Sequence, residues 1–161
     1  MRFMRTFFIL WASLFFLGGC SPKNYKVNES RLIVLKTPKI KYADLGYIRS
    51  NEDEVRADLF VAGNLIQSLE VDILVCVNEG CLSKSAFNED YLHPSYPDDL
   101  ILNVLLGRPI FDRTLLQKTD RGFIQELKSA DYNVIYEVKD GDIFFKDRQN
   151  KFMIKILKVK G

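Results

Sequence analysis

The sequence predicts an α+β fold: a curved antiparallel β-sheet, half-barrel-like, covered by two central helices. Three observations lead there. Apolar residues alternate through much of the first half, a proline-led and glycine-closed helical segment marks the middle, and alternation returns in the last third.

Taken in order, Arg31 to Leu35 is an apolar run and Lys39 to Ile48 a less regular one. Val55, Ala57, Leu59 and Val61 alternate with Arg56, Asp58 and Phe60 in the period-two pattern of a half-buried strand, and Gly63-Asn64 reads as a turn. From Leu69 to Val77 the alternation predicts a single strand with Leu69, Val71, Ile73, Val75 and Val77 on one face. Ser83 or Ser85 can cap a short helix that runs through Tyr91 and sets Phe87 and Tyr91 one turn apart. A second helix is marked by Pro97 at its first position, Asp98 and Asp99 at the positive end of its dipole, and Gly107 with Pro109 at its close. Tyr132, Val134, Tyr136 and Val138 then alternate up to Asp140-Gly141, a two-residue hairpin signal. Ile143 to Phe145 continue beyond it, and a turn near Arg148 to Asn150 leads into Phe152, Ile154 and Ile156.

The N-terminus has a different character. Arg2 and Arg5 precede an apolar stretch from Phe7 to Phe16, followed by Leu17-Gly18-Gly19-Cys20. The run to Gly19 is short of the roughly 20 apolar residues that a membrane-spanning helix needs. Basic start, short apolar core and small residues are the order of a secretory signal, and Leu17 to Cys20 resembles the lipobox of bacterial lipoprotein precursors. That resemblance implies removal of residues 1–19. It also implies a covalent diacylglyceryl group on the Cys20 thiol, with an acyl group on the freed amine; no other cofactor is expected. By the sorting rule of such lipoproteins, Ser21 rather than an aspartate implies the outer membrane, periplasm-facing, with the inner membrane as the other destination.

Cleavage there leaves 142 of the 161 residues, one domain's length. Residues 20–30 read as a lipidated tether, since Ser21 to Ser30 is polar and contains a proline, and residues 31–161 as one periplasm-facing domain. Arg2 and Arg5 leave with the signal, so 21 basic residues of the original 23 face 21 acidic ones. Balanced charge gives no electrostatic footprint for nucleic acid.

Catalytic chemistry finds little support. His93 is the only histidine and stands in a Leu92-His93-Pro94 linker with no serine elbow, paired histidine or glycine-rich phosphate loop nearby, so an enzyme is not expected. Cys76 and Cys81 bracket a predicted hairpin turn. A two-residue loop at Asn78-Glu79 sets the cysteines opposite each other, where a disulfide is geometrically possible; a three-residue loop with a bulge at Gly80 offsets them. Two cysteines and a distant histidine do not make a structural zinc site. The frequent Phe and Tyr residues fit either a packed core or an apolar cavity for acyl chains, because both use the same side chains.

The run from Pro97 to Pro109, ending Leu106-Gly107-Arg108-Pro109, resembles the LolB family segment in which a proline opens a helix that ends in Leu-Gly-x-Pro. Asn133 to Tyr136 and Lys151 to Leu157 are similar to later strands of that family, and order and spacing are similar from about Lys39 to Lys158. The resemblance implies a non-enzymatic, membrane-anchored acceptor of acyl chains or acylated lipoproteins, receiving them from a periplasmic carrier protein. Leu100 and Val104 are then candidate cavity-lining residues, and Leu65 or Ile66 a candidate membrane-delivery loop. A structural or assembly lipoprotein with a filled core, binding another envelope protein, is the competing expectation.

Overall fold

The computed structural model of the chain describes residues 23–78 and 80–159. Within them, strand-forming sequence dominates. The strands are β1 (Val27–Lys36), β2 (Lys41–Ser50), β3 (Val55–Val61), β4 (Asn64–Val71), β5 (Val75–Val77), β6 (Gly80–Leu82), β7 (Leu116–Thr119), β8 (Gly122–Lys128), β9 (Asn133–Lys139), β10 (Asp142–Asp147) and β11 (Phe152–Lys158). They form one antiparallel sheet in the order β6-β5-β4-β3-β2-β1-β11-β10-β9-β8-β7. Two helices, α1 (Lys84–Tyr91) and α2 (Leu100–Leu105), connect its two halves.

The expected α+β fold with two covering central helices is therefore corrected to a sheet-dominated one. Eleven strands stand against helices of eight and six residues. The second helix is shorter than its signals suggested: residues 97–99 form a turn, Asp99 makes no side-chain cap bond, and Gly107, at φ +67°, ends it. The stretch after Gly107, which carried no clear period-two pattern, supplies β7 and β8. Buried Gln125 stands where alternation would place an apolar residue between Phe123 and Leu127.

Local chemistry explains the turns. Ala62-Gly63 and Asp140-Gly141 both place two residues at positive φ (49° and 81°; 53° and 81°), the conformation that continues the twist of a two-residue hairpin. The expected single strand from Leu69 to Val77 is broken in two. Asp72 accepts the Leu74 amide on its carboxylate at 3.0 Å and donates its own amide to the Leu74 carbonyl at 2.9 Å, reversing the chain and leaving Ile73 87% exposed.

One core runs along the inner face. It takes Ile33 and Leu35 from β1, Val55, Ala57 and Leu59 from β3, Val134 and Tyr136 from β9, Phe145 from β10, and Phe152, Ile154 and Ile156 from β11. Ten inter-strand spacings of about 4.8 Å would make a flat sheet roughly 48 Å wide, while α1 and α2 are only about 12 and 9 Å long. Helices that small cannot cover such a face, so the sheet must curl around its own core.

A buried polar knot ties the helical connection to the sheet. The Tyr96 hydroxyl donates to Asp147 at 2.5 Å, and the same carboxylate accepts the amides of Asn133 (3.1 Å), Gln149 (2.8 Å) and Asn150 (3.2 Å). The Asn150 side-chain amide adds a fifth bond at 2.9 Å. Burial pushes the Asp147 carboxyl up, but the Tyr96 hydroxyl and the three amides outweigh it and hold it below the ordinary carboxylate range.

Candidate functional site

Antiparallel pairing gives the sheet two ends. The β2–β3, β4–β5, β7–β8 and β9–β10 turns share one end with the segment that enters β1. At this end the inner face opens into a cleft of about 260 Å³, lined by apolar groups of Ile48, Leu105, Leu106, Val138, Ile143 and Ile156. Strand registry accounts for the alignment, since Ile143 faces both Val138 and Ile156 across neighbouring strands. α2 contributes the opposite wall through its last residue and the two that follow. A Cβ placed on Gly107 would sit 3.4 Å from Ile143 and 3.7 Å from Val138.

The mouth of the cleft is polar. Arg31, paired with Glu29 through Nε at 2.9 Å, reaches the Gly141 carbonyl at 3.4 Å, and Ser50 stands on the adjoining strand. An apolar floor beneath an ion pair and a hydroxyl suits an amphiphile: a chain of methylenes inside, with ester or amide oxygens at the rim.

The expected residues fall in different places. Leu100 and Val104 are both 0% exposed and pack in the core, while the cleft is walled one turn further along, at Leu105 and Leu106. Leu65 and Ile66 are each 51% exposed, on β4 beside the Ala62-Gly63 turn, at the end of the sheet opposite the cleft. Cys76 and Cys81 form a disulfide with Cα atoms 4.0 Å apart; Val77 pairs with Gly80, which is the two-residue register. His93 hydrogen-bonds Ser95 at 2.7 Å and meets the Tyr96 ring edge-on. Cys20 and residues 1–19 lie outside the described residues, whereas residues 27–30, expected in the tether, open β1.

Sequence reasoning missed the cleft's sheet wall and mouth. Arg31, Ser50 and Val138 belong to it because strand pairing over large separations brings them together, a relation that no local pattern encodes. Among the described residues no helix is long and apolar enough to cross a membrane, and no group of three or more His, Cys, Asp or Glu side chains is placed to hold a metal ion.

No protein-family model, curated protein or solved structure matches the chain.

Proposed function

We propose that this chain is a lipid-anchored envelope protein, non-enzymatic, that binds a single acyl chain of a lipid or acylated protein in the cleft at the end of its sheet. The observation that carries the reading is the position of that cleft. It opens at the end where the N-terminal segment leaves β1, so an anchor at Cys20 would bring its polar mouth toward the bilayer from which an acyl chain comes. LolB-like exchange of acylated lipoproteins with a periplasmic carrier is the biological form this binding takes in our reading. Ser21 assigns the outer membrane, and fractionation that finds the protein wholly in the inner membrane would reverse that assignment.

Binding of a fluorescent fatty-acyl probe to the chain from Ser21 onward tests the proposal. Val138→Trp fills the cleft from its partly exposed wall and should abolish saturable binding while leaving the unfolding midpoint nearly unchanged. A tight site would instead lose about 1–3 kcal/mol to overpacking.

The second reading, an assembly lipoprotein with a filled core, rests on two features. Leu100 and Val104 are completely enclosed, and about 260 Å³ falls below the roughly 300–1,000 Å³ of ordinary ligand pockets. Absence of saturable probe binding together with a clearly destabilised Val138→Trp variant favours that reading.

A further inference from the structure

The outer face of the sheet carries a second construction, unrelated to the cleft. Lys23 sets its ammonium among three carboxylates: Glu70 at 2.5 Å, Asp72 at 2.8 Å and Glu54 at 3.2 Å. The next residues lie along the β2–β3 turn. The Asn51 side chain donates to the Asn24 carbonyl at 3.1 Å and accepts the Lys26 amide at 2.8 Å, and Lys26 pairs with Glu52 at 3.1 Å. Tyr25 lies with Arg49, Arg56 and Glu70 along a groove on this face. The segment before β1 is therefore docked on the domain, through four consecutive residues.

This docking fixes where an anchor must be. Only Ser21 and Pro22 separate Lys23 from Cys20, so three residue steps span at most about 10 Å in extended chain. Asp72, which holds Lys23, begins the turn whose next residues are Ile73, 87% exposed, and Leu74, 42% exposed. Among the described residues Ile73 is the most exposed of the large apolar side chains, and it stands beside the docked segment at the same sheet end as the cleft mouth. Leu65 and Ile66 lie at the far end of β4, eight and seven residues before Ile73 and roughly 24 Å away.

The surrounding charge favours a neutral surface. Around the Asp72–Leu74 turn the acidic Glu52, Asp53, Glu54, Glu70 and Asp72 are interspersed with Lys23, Lys26, Arg56, Lys84 and Arg108; Lys23 pairs with Glu54, Glu70 and Asp72, Arg56 with Glu70, Lys26 with Glu52, and Arg108 with Asp53 at 3.8 Å. With both signs mixed and paired around it, the turn neither requires anionic headgroups nor is held off by them.

We infer that the docked segment Lys23–Lys26 sets the orientation of the anchored domain, laying the Asp72–Leu74 turn on the bilayer with Ile73 inserted at the level of the acyl chains. The occupant of this apolar tip is thus the membrane that holds the chain's own anchor. The inference rests on lipidation of Cys20 and is independent of whether the cleft binds an acyl chain.

Tryptophan fluorescence gives a direct test, because Trp11, within residues 1–19, is the chain's only tryptophan. The processed, lipidated protein carrying Ile73→Trp, or separately Leu65→Trp, is reconstituted in phosphatidylcholine vesicles with and without bromine on the acyl chains. Its mass is first checked for the diacylglyceryl adduct. Bromolipid should quench and vesicles should blue-shift the tryptophan of Ile73→Trp but not that of Leu65→Trp. Adding Lys23→Ala to Ile73→Trp should lower the quenching toward the Leu65→Trp level while the protein stays on the vesicles. Equal or stronger quenching of Leu65→Trp, or none for Ile73→Trp on anchored protein, overturns the orientation alone. A blue shift without bromolipid quenching means that a protein surface, such as a second copy, covers the turn, and overturns it too. Quenching unchanged by Lys23→Ala overturns the role of the docked segment. A chain without the adduct overturns both this inference and the lipoprotein reading.

Discussion

Replacing Asp147 should be among the most damaging single changes in the domain, and the structure allows its size to be worked out. The side chain is fully enclosed and accepts five hydrogen bonds, from the Tyr96 hydroxyl, three backbone amides and the Asn150 side chain. Bonds to a charged group contribute about 1.5–3 kcal/mol each, but those converging on one acceptor do not add. Asp147→Ala should therefore cost about 3–5 kcal/mol, the usual loss when a buried charged network is broken. For a domain of this size that corresponds to a melting temperature lower by about 10–15 °C. Asp147→Asn keeps an acceptor for the backbone amides but turns an NH₂ toward the Asn150 amide, so about 2 kcal/mol is expected. The sign of the pH dependence follows from the lowered folded-state carboxyl. Its stabilisation is complete above the unfolded value of about 3.9 and is lost as pH falls through the folded one, so wild type and Asp147→Asn should converge in acid. Urea unfolding between neutral pH and about pH 3 measures this. A variant within about 0.5 kcal/mol of wild type at neutral pH, or a gap that widens in acid, would refute the reasoning.

Three further changes probe other parts of the account. Gln125→Leu strips the Ile110 amide (2.8 Å), the Ile110 carbonyl (2.9 Å) and the Thr114 carbonyl (2.8 Å) of their partner, in a segment where Phe111, Asp112, Arg113 and Leu115 all have positive φ. A loss of about 2–4 kcal/mol and new tryptic cleavage after Arg113 are expected. Paired Cys76→Ser and Cys81→Ser changes open a six-residue loop worth about 2 kcal/mol in chain entropy, which should appear as faster amide exchange in β5 and β6 before any global loss. Tyr25→Phe removes a buried hydroxyl that has no hydrogen-bond partner among the described residues; denaturant midpoints should show it neutral or up to about 1 kcal/mol more stable, and a clear loss would reveal a partner.

Much of the local structure was legible in the sequence because its signals are local. Asp140-Gly141 marks a hairpin since few other pairs accept two positive φ angles, and Ser83 does cap α1, accepting the Ala86 amide at 3.2 Å. The β4–β5 reversal escaped because Asp72 continues the polar side of a period-two pattern; only its bonds to Leu74 turn it into a turn residue. β8 escaped because Gln125, polar and fully buried, interrupts the apolar row to satisfy the strained segment beside it. Missing that pair of strands left two short helices looking like a larger share of the fold than they are. For the site, the type of residue was foreseeable but its place was not. Leu100 and Val104 share α2 with the cleft wall, yet the rotation of the helix turns them into the core and leaves Leu105, Leu106 and Gly107 at the opening.

The cleft mouth, the docked segment and the Ile73 turn occupy one end of the sheet, the end that an anchor at Cys20 would hold against the bilayer. The most direct measurement of the central claim is competition at the cleft. A fluorescent acyl probe bound to the chain from Ser21 onward is titrated with a synthetic diacylated lipopeptide, and in parallel with the same peptide lacking its acyl chains. The account predicts stoichiometric displacement by the lipopeptide alone, absent in Val138→Trp. Displacement by the bare peptide, or probe binding that neither saturates nor responds to Val138→Trp, would contradict it.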